Sequence, residues 1–297
     1  MAGLHIIWNP IAGNGAAARA FAVTKAILDA DGIAYTATKS AYPGHAVELA
    51  RQAVEAGAEK VITLGGDGTV REVATVLMGT DIPMGIIPCG TGNDMSRPLG
   101  IPTEIADALD VALKGTPRQM DAAKANDELF FNVAGFGFDV DVLDYTEIYK
   151  KKFRNGSIAY LRGLLRAVTG LKNRKTTITW PDGNMIKNVL LIAAGNGTHF
   201  GGGMMVTPKA DPFDGLLDMC IIHDVTLLAL FTVLPRFMKG KHLGTKYVTY
   251  FRTTELTADC DPVSRIEVDG EVMQGTPVTF RILPKALWVI TPAPQIN

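Results

Sequence analysis

The fold of this chain follows from one stretch, Val61-Ile62-Thr63-Leu64-Gly65-Gly66-Asp67-Gly68-Thr69-Val70. An apolar, β-branched run of strand length stops at a glycine pair, and apolar residues then recur at helical spacing through Leu77. A strand, a glycine turn and a helix present backbone N–H groups and the positive end of the helix to a phosphate. The glycines are expected to adopt positive φ and to let the backbone approach the ligand. Asp67 would repel a phosphate, so its presence indicates a divalent cation between the two.

A tight turn with an incidental Asp would explain this stretch equally well if it stood alone. A second turn of the same kind, Ile86-Ile87-Pro88-Cys89-Gly90-Thr91-Gly92-Asn93-Asp94, favours the phosphate-binding interpretation. Because the two turns belong to neighbouring βα units, both are expected to open at one edge of a parallel sheet.

The first turn of the chain, Asn9-Pro10-Ile11-Ala12-Gly13-Asn14-Gly15, is a degenerate form of the dinucleotide-binding fingerprint. That fingerprint requires an acid at the end of the second strand to hold a ribose hydroxyl. Here the second strand, 34–38, is followed by Lys39 and Ser40, which disfavours a Rossmann dehydrogenase.

Together these motifs resemble the diacylglycerol kinase catalytic-domain family, which includes soluble bacterial lipid kinases and sphingosine kinases and has a fold related to that of NAD kinases. The resemblance extends over nearly the whole chain. It implies ATP as the nucleotide. The residues that it places at the nucleotide are Asn9, Pro10, Ile11, Ala12, Gly13, Ser40, Gly65, Gly66, Asp67, Gly68, Thr69, Val70, Arg71, Thr91 and Asn93. Ile11-Ala12 departs from the Lys or polar residue common after the Pro in this family.

An acid-rich turn, 207–218, precedes an apolar strand. Carboxylate and backbone oxygens at a turn suit Mg²⁺, although an Asx turn explains the same residues. The resemblance implies that Asp214, with the backbone oxygens of Asp211 and Leu216, holds a Mg²⁺ that is linked through waters to Asp67 and Asp94.

The last motif is Glu267-Val268-Asp269-Gly270-Glu271. Asp-Gly between two strands is a common hairpin turn. The resemblance implies a catalytic role here, with Glu271 as the base that accepts the proton of a lipid hydroxyl and with Asp269 orienting the acceptor or a metal-bound water.

The order of the predicted elements indicates two domains. Strands and helices alternate in residues 1–124, which predicts an α/β domain with a parallel sheet that binds the nucleotide. Short strands separated by turns dominate 125–284, which predicts an antiparallel β-sandwich for the lipid substrate. The resemblance implies that 285–297 return to the first domain. An apolar sandwich edge would allow a homodimer.

Composition narrows the function classes. The net charge of −1 argues against a nucleic-acid-binding surface. The three cysteines lack metal-binding spacing and are odd in number, which predicts a cytoplasmic location. We expect no secretory signal and no membrane-spanning helix.

A basic segment, 148–175, predicts peripheral binding to a membrane. Between Ile148 and Pro181 there are nine Lys or Arg residues and no Asp or Glu, with apolar residues recurring between them. Two helices broken near Asn155-Gly156 are expected, either as a membrane-surface element or as a solvated face over a core stripe.

These features predict an ATP-dependent lipid kinase that uses Mg²⁺ and phosphorylates a membrane lipid, with diacylglycerol as the first candidate. An NAD kinase shares the glycine loop, but the basic segment and the Asp-Gly-Glu motif disfavour it. A catalytically silent nucleotide- or lipid-binding regulator is disfavoured by the intact acids Asp67, Asp94, Asp214 and Glu271.

Overall fold

A computed structural model describes residues 3–152 and 156–293. The first part of the chain is the predicted α/β domain. Its four parallel strands lie in the order β2-β1-β3-β4. They alternate along the chain with four helices: β1 (Leu4–Trp8), α1 (Ala12–Ala30), β2 (Tyr35–Lys39), α2 (His45–Glu55), β3 (Lys60–Gly65), α3 (Asp67–Leu77), β4 (Met84–Pro88) and α4 (Ile105–Lys114).

The sequence explains this layer directly. β3 and β4 are apolar along nearly their whole length because helices cover both faces of a parallel sheet. In α3 the apolar residues at helical spacing, among them Val70 and Leu77, are buried against the sheet. The carboxyl ends of all four parallel strands lie at the same edge of the sheet, which is where the glycine turns are.

The second part is predominantly antiparallel, as predicted. It contains β5 (Thr116–Ala125), β6 (Glu128–Phe130), β7 (Val133–Gly137), α5 (Phe138–Lys150), α6 (Gly156–Thr169), β8 (Arg174–Trp180), β9 (Gly183–Gly195), β10 (Leu217–His223), α7 (Leu227–Met238), β11 (Val248–Thr253), β12 (Glu255–Asp261), β13 (Arg265–Val268), β14 (Glu271–Gly275) and β15 (Val278–Thr291). One apolar core lies between the strands, and another lies between the strands and the helices α5, α6 and α7.

Strand β15 joins the two parts of the molecule. Its first half pairs with β12, its second half meets β4 at Val289 and Met84, and β5 runs antiparallel along both halves. The sequence predicts two separate strands here, at 278–283 and 286–290. The structure shows one strand whose register shifts between Leu283 and Leu287. Residues 124 and 285 therefore both lie inside strands that cross from one domain to the other.

Three local predictions need correction. Residues 116–125 carry no strand signal in the sequence, yet they form β5. The apolar run 129–133 predicts one continuous strand. Asp269 interrupts that strand by accepting the backbone N–H groups of Phe131 and Asn132. The sequence pattern predicts a helical segment that begins at Asp144, but helix α5 already begins at Phe138.

The basic segment forms two helices, as expected, although the predicted break near Asn155 falls on residues 153–155, outside the described part. The outer face of α6 is apolar as well as basic, because Leu161 is 55% and Leu165 is 53% exposed. Arg174 does not share that face, since it is buried and pairs with Asp141 at 2.7 Å. No helix in residues 3–152 and 156–293 is long and apolar enough to cross a membrane.

Candidate active site

The two glycine loops touch each other at the carboxyl ends of β3 and β4. A Cβ on Gly90 would lie 2.5 Å from the Cα of Gly66, which no real contact permits. The expectation that Gly65, Gly66 and Gly68 need positive φ is wrong, because none of them has it. Close approach between the loops, together with space for a ligand, is the physical reason for glycine at Gly66 and Gly90.

The first loop of the chain packs against the same place. The Asn9 side chain donates to Thr69 Oγ1 at 3.3 Å, and its Oδ1 accepts the Ile11 N–H at 3.2 Å. Gly13 does have positive φ, and a Cβ there would lie 2.0 Å from the carbonyl oxygen of Cys89. Loops from β1, β3 and β4 thus form one continuous surface.

This surface lines a cleft of about 640 Å³. Ten of the residues expected at the nucleotide line it: Asn9, Pro10, Ile11, Ala12, Gly13, Ser40, Gly66, Gly68, Thr69 and Thr91. Sequence reasoning missed Tyr42 and Glu72, which also line the cleft. The Glu72 carboxylate accepts the N–H groups of Gly44 and Ala46, so it holds the start of α2 beside the cleft.

Five of the expected nucleotide residues do not line that cleft, and three of these five line no adjoining cavity either. Val70 is buried in the core of the first domain. Gly65 is the buried last residue of β3, where a Cβ would lie 2.7 Å from the Cβ of Thr69. Asn93 shapes the second loop, because its side chain accepts the Gly90 N–H at 2.7 Å and donates to the Gly90 carbonyl at 3.1 Å.

Asp67 and Arg71 line an adjoining polar cavity of about 360 Å³, which Thr91 shares with the nucleotide cleft. Asp94 lines the same polar cavity. The carboxylates of Asp67 and Asp94 both lie beside Gly92, where a Cβ would be 2.9 Å and 3.3 Å from them. Asp67 accepts the Met95 N–H at 3.1 Å, and Asp94 Oδ2 accepts the Gly202 N–H at 2.7 Å.

The second oxygen of Asp94 is a candidate cation ligand. Within the described part of the chain, Asp94 Oδ1 is buried without a hydrogen-bond partner, and Arg97 Nε lies 3.7 Å from it. Burial raises the pKa of Asp94, and the Asp67 carboxylate raises it further. Two neighbouring carboxylates with an unpaired oxygen fit a divalent cation, which would favour the ionised form of Asp94.

The predicted metal turn lies apart from this pair. Asp214 Oδ1 accepts the Leu216 N–H at 3.0 Å, and its Oδ2 pairs with Arg252 at 3.1 Å. Asp211 accepts the Phe213 N–H at 3.1 Å. These are Asx turns, and neither Asp211 nor Asp214 lines either cavity. Within the described ranges no three His, Cys, Asp or Glu side chains converge as a metal site. A Mg²⁺ at this turn stays a prediction.

Asp269 and Gly270 form the two-residue turn between β13 and β14, and both have positive φ. The Asp269 carboxylate accepts the N–H groups of Phe131, Asn132 and Val133 at 2.8–3.1 Å. Desolvation raises the pKa of Asp269 to about 6. Asp269 lines the polar cavity, but its hydrogen bonds make it an anchor of the β6–β7 turn, which explains its position without a catalytic role.

A catalytic base is expected to line the polar cavity, but Glu271 does not line it. Its side chain is 64% exposed, and its Oε2 pairs with Arg71 Nη1 at 2.6 Å. Arg71 itself lines the cavity and also donates to the Leu129 carbonyl at 3.2 Å. Glu271 therefore lies at the rim, in an ion pair that connects α3 to β14.

An apolar cavity of about 300 Å³ adjoins the polar one. Its walls come from α5, α6, α7 and β9, with Leu143, Leu164, Leu191, Leu234 and Phe237 among the lining side chains. The two cavities share Phe200, Gly201, Glu267 and Gly270.

Comparison with known proteins agrees with this arrangement. Residues 3–125 match the family model of the diacylglycerol kinase catalytic domain. Residues 132–291 match the YegS C-terminal NAD kinase beta sandwich-like domain. The chain belongs to the diacylglycerol kinase family.

Relatives in this lipid kinase family match over most of their length. The diacylglycerol kinase of Mycobacterium tuberculosis is 31% identical to this chain, over 96% of this chain and 93% of the length of that protein. The "Probable lipid kinase YegS-like" of Klebsiella pneumoniae is 35% identical over 82% of each. A crystal structure of a diacylglycerol kinase from Bacillus anthracis shares the fold, with a TM-score of 0.75 at 22% identity over 99% of this chain and 98% of that one.

Several residues at the site of this diacylglycerol kinase family member carry no local sequence signal. Asn132 and Phe200 line the polar cavity, yet neither belongs to a recognisable motif. The run of three glycines at 201–203, all with positive φ, was the available sign of a functional loop.

Proposed function

We propose that this protein is an ATP-dependent diacylglycerol kinase that transfers the γ-phosphoryl group to the lipid hydroxyl and forms phosphatidic acid. One observation carries the proposal. The polar cavity, which adjoins the phosphate-type loops, shares Phe200 and Gly201 with a neighbouring cavity walled by leucines and aromatic residues. A lipid acceptor needs such a junction, since its hydroxyl must meet the nucleotide while its acyl chains stay in an apolar environment.

Mg²⁺ is the cation that we propose for this site. Asp67 and Asp94 would hold it, and it would screen the phosphate charges during transfer. Arg71, which lines the polar cavity and is mostly shielded from solvent, would bind a phosphate oxygen.

In the proposed reaction the acceptor hydroxyl oxygen forms a bond to the γ-phosphorus. The bond from that phosphorus to the oxygen bridging the β- and γ-phosphates breaks, and ADP leaves with the electron pair. The hydroxyl proton moves to Glu271, which must first leave its ion pair with Arg71. Binding of the nucleotide phosphates to Arg71 would favour that release.

The acceptor class can be tested with labelled ATP. We expect label transfer to detergent-dispersed diacylglycerol at rates well above those for ceramide, sphingosine or phosphatidylglycerol, and no transfer to NAD. Thin-layer chromatography of the products measures this. Phosphorylation of NAD alone would establish an NAD kinase, and no ATP consumption with any acceptor would establish a silent binding protein.

We also propose that the helices α5, α6 and α7 bind an anionic membrane surface. Exposed apolar side chains lie on all three, with Ile148 on α5, Leu161 and Leu165 on α6, and Leu228 on α7. Lys151, Lys152 and exposed arginines of α6 accompany them. Apolar and basic side chains together are what an interfacial element presents to anionic lipid. The same helices wall the apolar cavity, so binding would bring that cavity to the bilayer.

Neutralising four charges on this surface should weaken binding to anionic vesicles by about 10²–10³-fold, since each near-surface Lys or Arg contributes at most about 1 kcal/mol. The variant changes Lys151, Lys152, Arg162 and Arg166 to Gln. Sedimentation with phosphatidylserine vesicles at low and high salt is the measurement. A control variant carries the same change of charge on exposed helices of the first domain, at Arg19, Lys25, Arg51 and Lys114. Equal loss of binding in both variants would reduce the effect to net charge and would remove the helices from the proposal.

A further inference from the structure

One acidic side chain, Glu267, lies where the polar and apolar cavities meet, and a second, Asp139, lines the apolar cavity. Glu267 belongs to β13, is 3% exposed and lines both cavities. Asp139 is the second residue of α5 and lines the apolar cavity. The roles proposed above for Asp67, Asp94 and Glu271 use neither of them.

Both acids keep an oxygen that has no hydrogen bond to any residue that the structure describes. Glu267 Oε1 accepts the Gly270 N–H, but its Oε2 is buried and has no partner. Asp139 Oδ1 is likewise shielded from solvent and unpartnered. The nearest acids along the chain differ in this respect, because Asp141 pairs with Arg174 and Asp269 accepts three backbone N–H groups. A buried hydrogen-bonding group that its own protein leaves unpaired is available to a ligand.

The surroundings favour an uncharged form of Glu267. Among the described residues lining the apolar cavity there is no Lys, Arg or His. An isolated buried carboxylate is costly, and two adjacent ones are costlier. Burial raises the pKa of Glu267 well above its usual value, with a further contribution from Asp139, and burial raises the pKa of Asp139 to about 7. These influences favour the protonated form of Glu267, which carries an O–H donor.

We propose that Glu267, with Asp139 beside it, forms a subsite that binds the ester carbonyl next to the acceptor hydroxyl of the lipid. The proposal rests on the proposed lipid kinase function and names the part of the acceptor that is recognised. A lipid whose hydroxyl lies in the polar cavity and whose chains lie in the apolar cavity must place its ester linkage at the junction. There the protonated Glu267 donates its O–H to the carbonyl oxygen, and the nearby Asp139 favours that protonated form. A carboxylate pair that bound a cationic amine would behave differently when Glu267 is replaced by Gln.

A matched pair of acceptors tests this subsite. A diester glycerol lipid and its dialkyl ether analogue share the hydroxyl and the chains and differ in the carbonyls. We expect the parent protein to prefer the ester in kcat/KM by about 10-fold or more, because the ether leaves the buried donor poorly paired. Glu267→Leu removes the donor and should bring the ester-to-ether ratio close to 1, mainly through KM. Glu267→Gln keeps an N–H donor and should preserve most of the preference.

The controls separate this role from a structural one. If Glu267 only secures the β13–β14 turn, Glu267→Leu lowers the melting temperature and the rates with both acceptors equally, and the ratio does not move. If Glu267→Leu does not fold, the ester-to-ether ratio of kcat/KM is compared between the parent and Asp139→Ala instead. Equal rates of the parent on ester and ether, or loss of the preference in Glu267→Gln, would overturn the proposed carbonyl subsite. A parent that phosphorylates neither lipid would overturn the lipid kinase function together with the subsite.

Discussion

Replacement of Asp67 by Asn is expected to lower turnover by at least about 10²-fold while the protein stays folded. Metal-ion stabilisation of the developing charge is worth several kcal/mol, and each 1.36 kcal/mol corresponds to a factor of ten in rate. The Asp67→Asn side chain keeps an oxygen that can accept the Met95 N–H, so the loop between β4 and α4 retains its contact. The variant loses one of the two negative charges that Asp67 and Asp94 place beside Gly92.

The stability of this variant should change little. Asp67 is the first residue of α3, where a negative side chain contributes about 0.3–1 kcal/mol through the helix dipole. Thermal unfolding measures that cost, and a Mg²⁺ titration of activity shows whether the cation is bound more weakly. Asp81→Asn, at an exposed turn before β4, is the matched control and should leave the rate unchanged. Near-normal turnover of Asp67→Asn at saturating Mg²⁺ would contradict the role of Asp67 as a metal-linked acid.

The sequence predicts the glycine loops well because their signals are local. A β-branched run that ends at Gly65 and a helical pattern that begins after Asp67 are both visible within a dozen residues. The alternation of strands and helices then fixes the edge at which the loops open, since parallel strands share it. The cleft is therefore predictable down to most of the side chains that line it.

Contacts between distant segments are not predictable in this way. Asp269 interrupts a strand 138 residues earlier by accepting the Phe131 N–H, and no local pattern records that bond. Arg174 looks like one more member of a basic segment until Asp141 is found beside it. The register shift inside β15 and its pairing with β5 also depend on segments far apart in the chain. Local propensity specifies these elements, but packing between them decides where polar side chains go.

The acids illustrate the same limit. Asp214 carries the pattern expected of a metal ligand, yet Leu216 and Arg252 already engage both of its oxygens. Glu267 carries no expectation beyond a strand position, yet the fold leaves one of its oxygens unpaired where two cavities meet. Whether a carboxylate is available to a ligand depends on its partners, which come from elements that the sequence does not bring together.

Glu271→Gln is expected to lower kcat by about 10²–10⁴-fold with nucleotide affinity nearly unchanged, which is the usual range for loss of general-base assistance. Gln keeps the size and the hydrogen-bonding capacity of the side chain but cannot accept the proton of the acceptor hydroxyl. The stability cost should be small. The ion pair with Arg71 leaves Glu271 mostly exposed, and exposed pairs contribute about 0–1 kcal/mol. Measurement of kcat, of ATP binding and of the thermal midpoint separates a catalytic effect from a structural one.

The exposed position of Glu271 makes a competing role testable, namely that it only holds Arg71 in place across the two domains. In that case Arg71→Gln alone and the double variant with Glu271→Gln would have equal kcat, and Glu271→Gln would act mainly on ATP binding. If Glu271 is the base, Glu271→Gln should lower kcat further in the Arg71→Gln background, because the proton still has no acceptor. Glu255→Gln breaks a comparable ion pair with Arg281 on the sandwich and controls for loss of such a pair as such. A Glu271→Gln variant that binds ATP and turns over as fast as the parent would show that another group takes the proton.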